Sequence, residues 1–245
     1  MYKSILSLAA ASTIAASPLS ARQVIPNYPP NSLSKGFKLI ANVTDPSTDL
    51  TPSVDGWEFL GIHTGAGFND AVLSNSYEGE IFYHNGTASE IHYGQGSIVA
   101  DQGSNPFPVG IYVQSATEYD ATYPSEHNVH INIGSGTIGI SLRAFPDPYF
   151  PLTGPGIGTY VACKRIVPYY GSEWTVVRYA YDVFNNETAL YEPAIPEGCT
   201  AITLIPQCDV LPDLPANGSI SSHEFAANSK CYDDVASINW PEYGP

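Results

Sequence analysis

The stretch from Gly158 to Phe184, GTYVACKRIVPYYGSEWTVVRYAYDVF, decides the fold class. Two runs rich in Val, Tyr, Thr and Ile, at 158–166 and 174–184, are parted by a break containing proline and glycine. Branched and aromatic side chains suit a pleated, half-buried surface, and Pro and Gly punctuate it. The same alternation of β-prone run and break extends outward in both directions. It recurs at 36–43 (GFKLIANV), 56–63, 71–74, 79–84, 88–93, 97–100, 109–115, 128–134, 138–145 and 200–205. With 21 prolines and 21 glycines among 245 residues, long helices have little room. The expected fold is a single all-β domain over residues 35–208, a two-sheet sandwich or partly closed barrel, with a β-trefoil as the alternative.

Two local predictions follow from turn and cap chemistry. Asn85-Gly86 between two β-prone runs favours a two-residue hairpin turn, pairing Phe82 with Ser89. In the acidic, Pro/Ser-rich tail at 209–245, Ser221 followed by Glu224 has the spacing of a capping box, predicting a short helix through Lys230. A Pro-rich lead-in occupies 22–34, and no internal repeat is strong enough for a propeller or solenoid.

The N-terminus sets the expected compartment. Lys3, an apolar run from Ile5 to Ala16, then small residues and Pro18 have the layout of a secretory signal peptide ending near residue 21. That run is too short to span a bilayer, and the polar C-terminus lacks a lipid-anchor signal, so no membrane insertion is expected. Sequons at Asn42, Asn85, Asn186 and Asn217 fit a secreted glycoprotein. The four cysteines, Cys163, Cys199, Cys208 and Cys231, imply two disulfides in an oxidising compartment. Three pairings are open; Cys163–Cys199 with Cys208–Cys231 is the preferred one. Lacking any C-x-x-C pair, they do not read as a zinc site. The formal charge of −15 repels phosphate backbones and anionic lipid, so nucleic acid is not an expected partner.

Three groups of residues bear on function. The segment 61–70, GIHTGAGFND, places His63, Asn69 and Asp70 around a glycine-rich bend. It lacks the full dinucleotide pattern and a following helix, so the glycines are expected to re-aim the chain, with His63, Asn69 and Asp70 as candidate ligand contacts. On a strand, His127 and His130 point to opposite faces, so with Glu126 they do not form a metal set; neither metal nor cofactor is expected. No nucleophile elbow, acid-protease motif or H-E-x-x-H is present. Glu78, Glu80, Glu90, Glu126, Glu173 and Glu187 are eligible carboxylates for glycoside hydrolysis, but no pair is singled out. Seventeen tyrosines with Trp57, Trp174 and Trp240 supply rings for sugar stacking, Tyr169, Tyr170 and Trp174 being the densest cluster.

The segment 34–73 (SKGFKLIANVTDPSTDLTPSVDGWEFLGIHTGAGFNDAVL), with FYHNGTA, FPVGIYVQ, FPDPYF, GTYVACKRIVPYYG, VRYAY and IPEGCTAITLIPQC, resembles a family of small secreted proteins of filamentous ascomycete fungi with no assigned activity. The resemblance covers Lys35 to Cys208. The run of strands is also similar to that of fungal cell-wall glycoproteins. Together they imply a fungal extracellular or wall-associated glycoprotein, without catalytic residues to transfer. The expected role is non-enzymatic, with cell-wall polysaccharide as partner. A glycan-binding module, a secreted effector and a glycan-active hydrolase are the alternatives.

Overall fold

A computed structural model describes residues 28–118, 123, 125–142 and 149–243. The segment expected to be a signal peptide lies outside the described residues. In chain order the strands are β1 (Ser32–Ser34), β2 (Gly36–Val43), β3 (Glu58–Gly65), β4 (Phe68–Ser74) and β5 (Phe82–Asn85). After a one-turn helix, α1 (Ala88–His92), come β6 (Ser97–Gln102), β7 (Phe107–Val113), β8 (His127–Ile133) and β9 (Gly158–Val167). The remainder are β10 (Ser172–Asn185), β11 (Leu190–Pro193), β12 (Cys199–Asp209), β13 (Ala226–Ala227) and β14 (Ser229–Cys231).

One antiparallel sheet runs β11-β10-β9-β12-β2-β3-β4-β8-β7-β6-β5-β13, and β1 pairs with β14 beside it. The large sheet closes on itself twice. Phe37 of β2 faces Phe82 of β5, and Arg178 and Tyr179 of β10 face Asn128 and His127 of β8. The fold is therefore a barrel, the second of the two expected architectures. Strand alternation fills it: Phe37, Leu39, Ala41 and Val43 of β2 point inward with Phe59, Phe82, Ile111, Ile131 and Leu204. Full burial of each such side chain stabilises by about 1.5–3 kcal/mol. A smaller apolar cluster on the other face of β3, β4, β9 and β10 holds Leu60, Ile62, Val72, Val161, Val176 and Ala180. The outward-facing Ile40 and Ile205 are covered by Tyr232 and Val235 of the tail.

Both disulfides join as preferred, Cys163–Cys199 and Cys208–Cys231. Cys163 and Cys199 sit directly opposite one another on β9 and β12.

Three local predictions are overturned. No hairpin forms at Asn85-Gly86, because Ala88–His92 is helical. Thr87 and Glu90 make a reciprocal capping box: the Thr87 hydroxyl accepts from the Glu90 amide at 3.2 Å, and the Glu90 carboxylate accepts from the Thr87 amide at 2.7 Å. β5 consequently pairs with β6 after the helix, Phe82 opposite Ala100. The tail helix from Ser221 to Lys230 is absent. The Glu224 amide is held by Ser222, Ala226 and Ala227 extend the edge of β5, and Ser229–Cys231 pairs with β1. Residues 138–142 make one bridge, Leu142 to Leu152, instead of a strand. Gly136 and Gly139, at φ of 81° and 94°, bend the chain there, and 143–148 lie outside the described residues.

Candidate functional site

The β9–β10 connection is a four-residue loop, Pro168-Tyr169-Tyr170-Gly171, between register partners Val167 and Ser172. Gly171 closes it at φ 62°, where a Cβ is disfavoured. Both tyrosines are thrust into solvent, Tyr169 at 58% and Tyr170 at 43% exposure. The neighbouring β3–β4 hairpin turns through Gly65-Ala66-Gly67, with Gly67 at φ 76° and a register shift after His63. The glycines of this segment thus turn the chain between strands, as its composition implies.

These two tips meet. The rings of His63, Tyr169, Tyr170, Trp174 and Tyr77 form a row with successive centroid separations of 5.7, 5.1, 5.4 and 6.1 Å. Edge contacts join His63, Tyr169 and Tyr170, Tyr170 is tilted on Trp174, and Trp174 stacks with Tyr77. The Tyr170 hydroxyl donates to the His63 carbonyl at 2.8 Å, and the Trp174 indole donates to Ser172 at 3.2 Å. These two bonds hold Tyr170 and Trp174 in place before any ligand arrives. Four of the six candidate contacts therefore converge. Tyr77, in the loop after β4, has no local sequence signal; only the sheet register brings it to Trp174.

The other two candidates lie elsewhere. Asn69 is buried and donates to the Ile131 carbonyl at 2.6 Å and to Gln102 at 3.2 Å. Asp70 is 3.0 Å from Nδ1 of His130. Burial alone would raise the Asp70 carboxyl; the hydrogen bond and charge of His130, with the charge of Arg178, outweigh it and hold the group below its usual value. Arg178 also reaches Glu126 at 3.9 Å. Glu126, almost fully buried, accepts from Arg165 Nε at 3.0 Å and from Arg165 Nη2. Arg165 also donates to the Glu197 carbonyl at 2.9 Å. Sequence separation hides this chain of charges; β8, β9 and β10 assemble it. Cys163 and Cys199 lie beside Glu126, but their sulfurs are joined to each other and the carboxylate is held by arginine, so this cluster offers a metal no thiolate.

The eligible glutamates are dispersed. Glu78 pairs with Lys38 at 3.1 Å, Glu90 caps α1, and Glu126 is committed to Arg165. A cleft of about 410 Å³ is lined by Glu80 and Asp101, together with Ile81, Leu211 and Leu214. The β5–β6 register puts Glu80 on the barrel-lining side with Phe82 and Gln102. Asp101 lies on the opposite side, bound to the Tyr83 hydroxyl at 3.2 Å and to His223 at 2.6 Å. Both carboxylates are already held, Glu80 by Gln102 and the Gly61 amide and Asp101 by Tyr83 and His223. A second cavity of about 640 Å³ lies between the Pro/Gly-rich segment 151–158 and strands β9, β10 and β12. Its Tyr160 and Tyr179 hydroxyls donate to the Thr153 and Gly156 carbonyls.

Comparison with known proteins places the row in a family. Residues 34–208 match the model of a domain of unknown function, DUF7907. The chain belongs to the DUF7907 family. A curated relative of this DUF7907 protein is antigenic protein SchS34 of the fungus Stachybotrys chartarum, 40% identical over 231 residues, covering 94% of this chain and 100% of the relative. No solved structure matches. The matched region contains His63, Tyr77, Tyr169, Tyr170 and Trp174. Among the described residues, no helix is long and apolar enough to cross a membrane.

Proposed function

We propose that this protein is a secreted, wall-associated fungal glycoprotein that binds carbohydrate through the His63–Tyr77 aromatic row. The single observation carrying this is the row itself, five rings from two loops and two strands in successive contact, with Tyr170 and the half-buried Trp174 anchored by hydrogen bonds. Ring faces and edges pack against the apolar faces of sugars, and pinned rings lose little conformational freedom on binding. A binding rather than a catalytic role is supported by the commitment of Glu90 to a cap, of Glu78 and Glu126 to ion pairs and of Glu80 to Gln102.

The secreted assignment draws support from the signal-peptide layout of residues 1–21 and from the two disulfides. Of the four sequons, Asn186 on the β10–β11 turn and Asn217 in the tail are exposed, whereas Asn42 and Asn85 are half-buried. Protein secreted by a fungal host is expected to lose mass on treatment with an N-glycan amidase. Asn186→Gln and Asn217→Gln should each remove one glycan from that difference. Retention of unglycosylated protein inside the cell overturns the assignment.

The binding role is tested by incubating purified mature protein with insoluble fungal wall material. Wild type is expected in the pellet and the double variant Tyr170→Ala/Trp174→Ala in the supernatant. Equal pelleting of the two removes the row from the account.

A further inference from the structure

The row carries information about the kind of sugar chain as well as about sugar in general. Its rings follow one another at 5.1 to 6.1 Å, a pitch close to the length of one pyranose residue in an extended chain. His63, Tyr169, Tyr170, Trp174 and Tyr77 touch one after the other in that order, a succession of contacts that suits a polymer laid along it. Recognition of an acidic polymer would need cations beside the rings. The cations of β9 and β10, the strands that carry the loop, are engaged. The Lys164 ammonium donates to the Thr51 carbonyl, Arg165 holds Glu126, and Arg178 reaches the same carboxylate. Glu173 beside Trp174 is acidic, and Lys38 is taken up by Glu78, next to Tyr77 in sequence, and by Glu58, in a chain of formal charge −15.

We propose that the row takes an extended, uncharged glycan chain lying lengthwise, about one sugar per ring; this rests on the reading of the row as a carbohydrate surface. Like-charge repulsion excludes polyuronic or sulfated chains, and ring contacts along the line reward length. Affinity then rises from disaccharide toward pentasaccharide as successive rings are covered, and levels off when the row is full.

The test is affinity electrophoresis of the full mature protein in gels containing soluble neutral β-glucan or, separately, polygalacturonate. Tryptophan fluorescence with neutral oligosaccharides of increasing length accompanies it. The expected result is retardation by the neutral glucan alone, with Trp174→Ala weakening it about tenfold. Tyr77→Ala, at an exposed position, provides a second variant should Trp174→Ala fail to fold, and Tyr191→Ala on the β10–β11 hairpin should bind as wild type. Retardation by polygalacturonate alone, abolished in Trp174→Ala, overturns the neutral-chain inference and leaves the carbohydrate row standing. Neutral retardation that Trp174→Ala and Tyr77→Ala leave unchanged, or no retardation by either polymer, overturns the inference and the row together.

Discussion

Glu126→Leu is expected to lower the unfolding free energy by about 3–5 kcal/mol, the cost of leaving a buried charge without its partner. The reason is the pair of arginines. Arg165 and Arg178 keep only about a tenth of their side-chain surface exposed, 11% and 12%. Removing the carboxylate leaves two guanidinium groups in a poorly hydrated place without the charge that both address. Arg165→Met alone should also destabilise, by stranding Glu126. The double variant Glu126→Leu/Arg165→Met should recover much of the loss, because two apolar groups replace a matched pair. Urea unfolding of all four proteins checks this; additive losses in the double variant would show that the two residues act independently.

The second large effect is on the pH profile. Among the described residues, the buried atoms Glu80 Oε2 and His84 Nε2, just before and within β5, have no hydrogen-bond partner. Burial raises the Glu80 carboxyl from 4.5 to about 7, against the opposing bonds from Gln102 and the Gly61 amide. Burial lowers the His84 imidazole from 6.5 to about 4. Glu80 alone makes stability fall as pH rises from 4.5 to 7, because the unfolded chain ionises first. His84 alone makes stability fall as pH drops from 6.5 to 4, because the unfolded chain protonates first. Each amounts to about 3 kcal/mol across its window. Between pH 4.5 and 6.5 the two slopes oppose and nearly cancel, so the wild-type profile is flat with respect to this pair. Glu80→Gln is expected to unmask the histidine: stability should rise with pH and exceed wild type by about 3 kcal/mol above pH 7. His84→Gln should slope the other way. Denaturant midpoints from pH 4 to 8 read both; parallel profiles for the three proteins would refute the compensation.

The β-character of the chain was legible because β-branched and aromatic residues recur between Gly and Pro breaks, and β2, at Gly36–Val43, coincides with the run GFKLIANV. What misled was competition between two short-range signals. Asn85-Gly86 is a turn pair, yet Thr87 and Glu90 at once offer a capping box; the helix forms, and β6 and β13 take up the edges of β5. The site divided along the same line. Tyr169, Tyr170 and Trp174 are neighbours in sequence and could be read together. His63 was nominated with Asn69 and Asp70, its cross-hairpin neighbours, but joined the tyrosines instead. Alternation along β4 buries Asn69 toward the barrel and turns Asp70 to the opposite side. Tyr77 and the Glu126 network depend on pairings across dozens of residues, which no local pattern encodes.

The last strands act as a clasp between distant parts of the chain. β14 pairs with β1 near the other end of the chain, and Cys231 lies in the barrel core bonded to Cys208. β13, just before it, covers the open edge of β5. All three contacts add to a barrel already closed by β2 on β5 and β8 on β10, and the two strand pairings join residues that lie far apart in the chain. Such distant pairings are slow to find and leave sheet edges exposed meanwhile. A truncation that removes residues 226–245 therefore bares the edge of β5, takes the partner from β1 and leaves Cys208 without its disulfide.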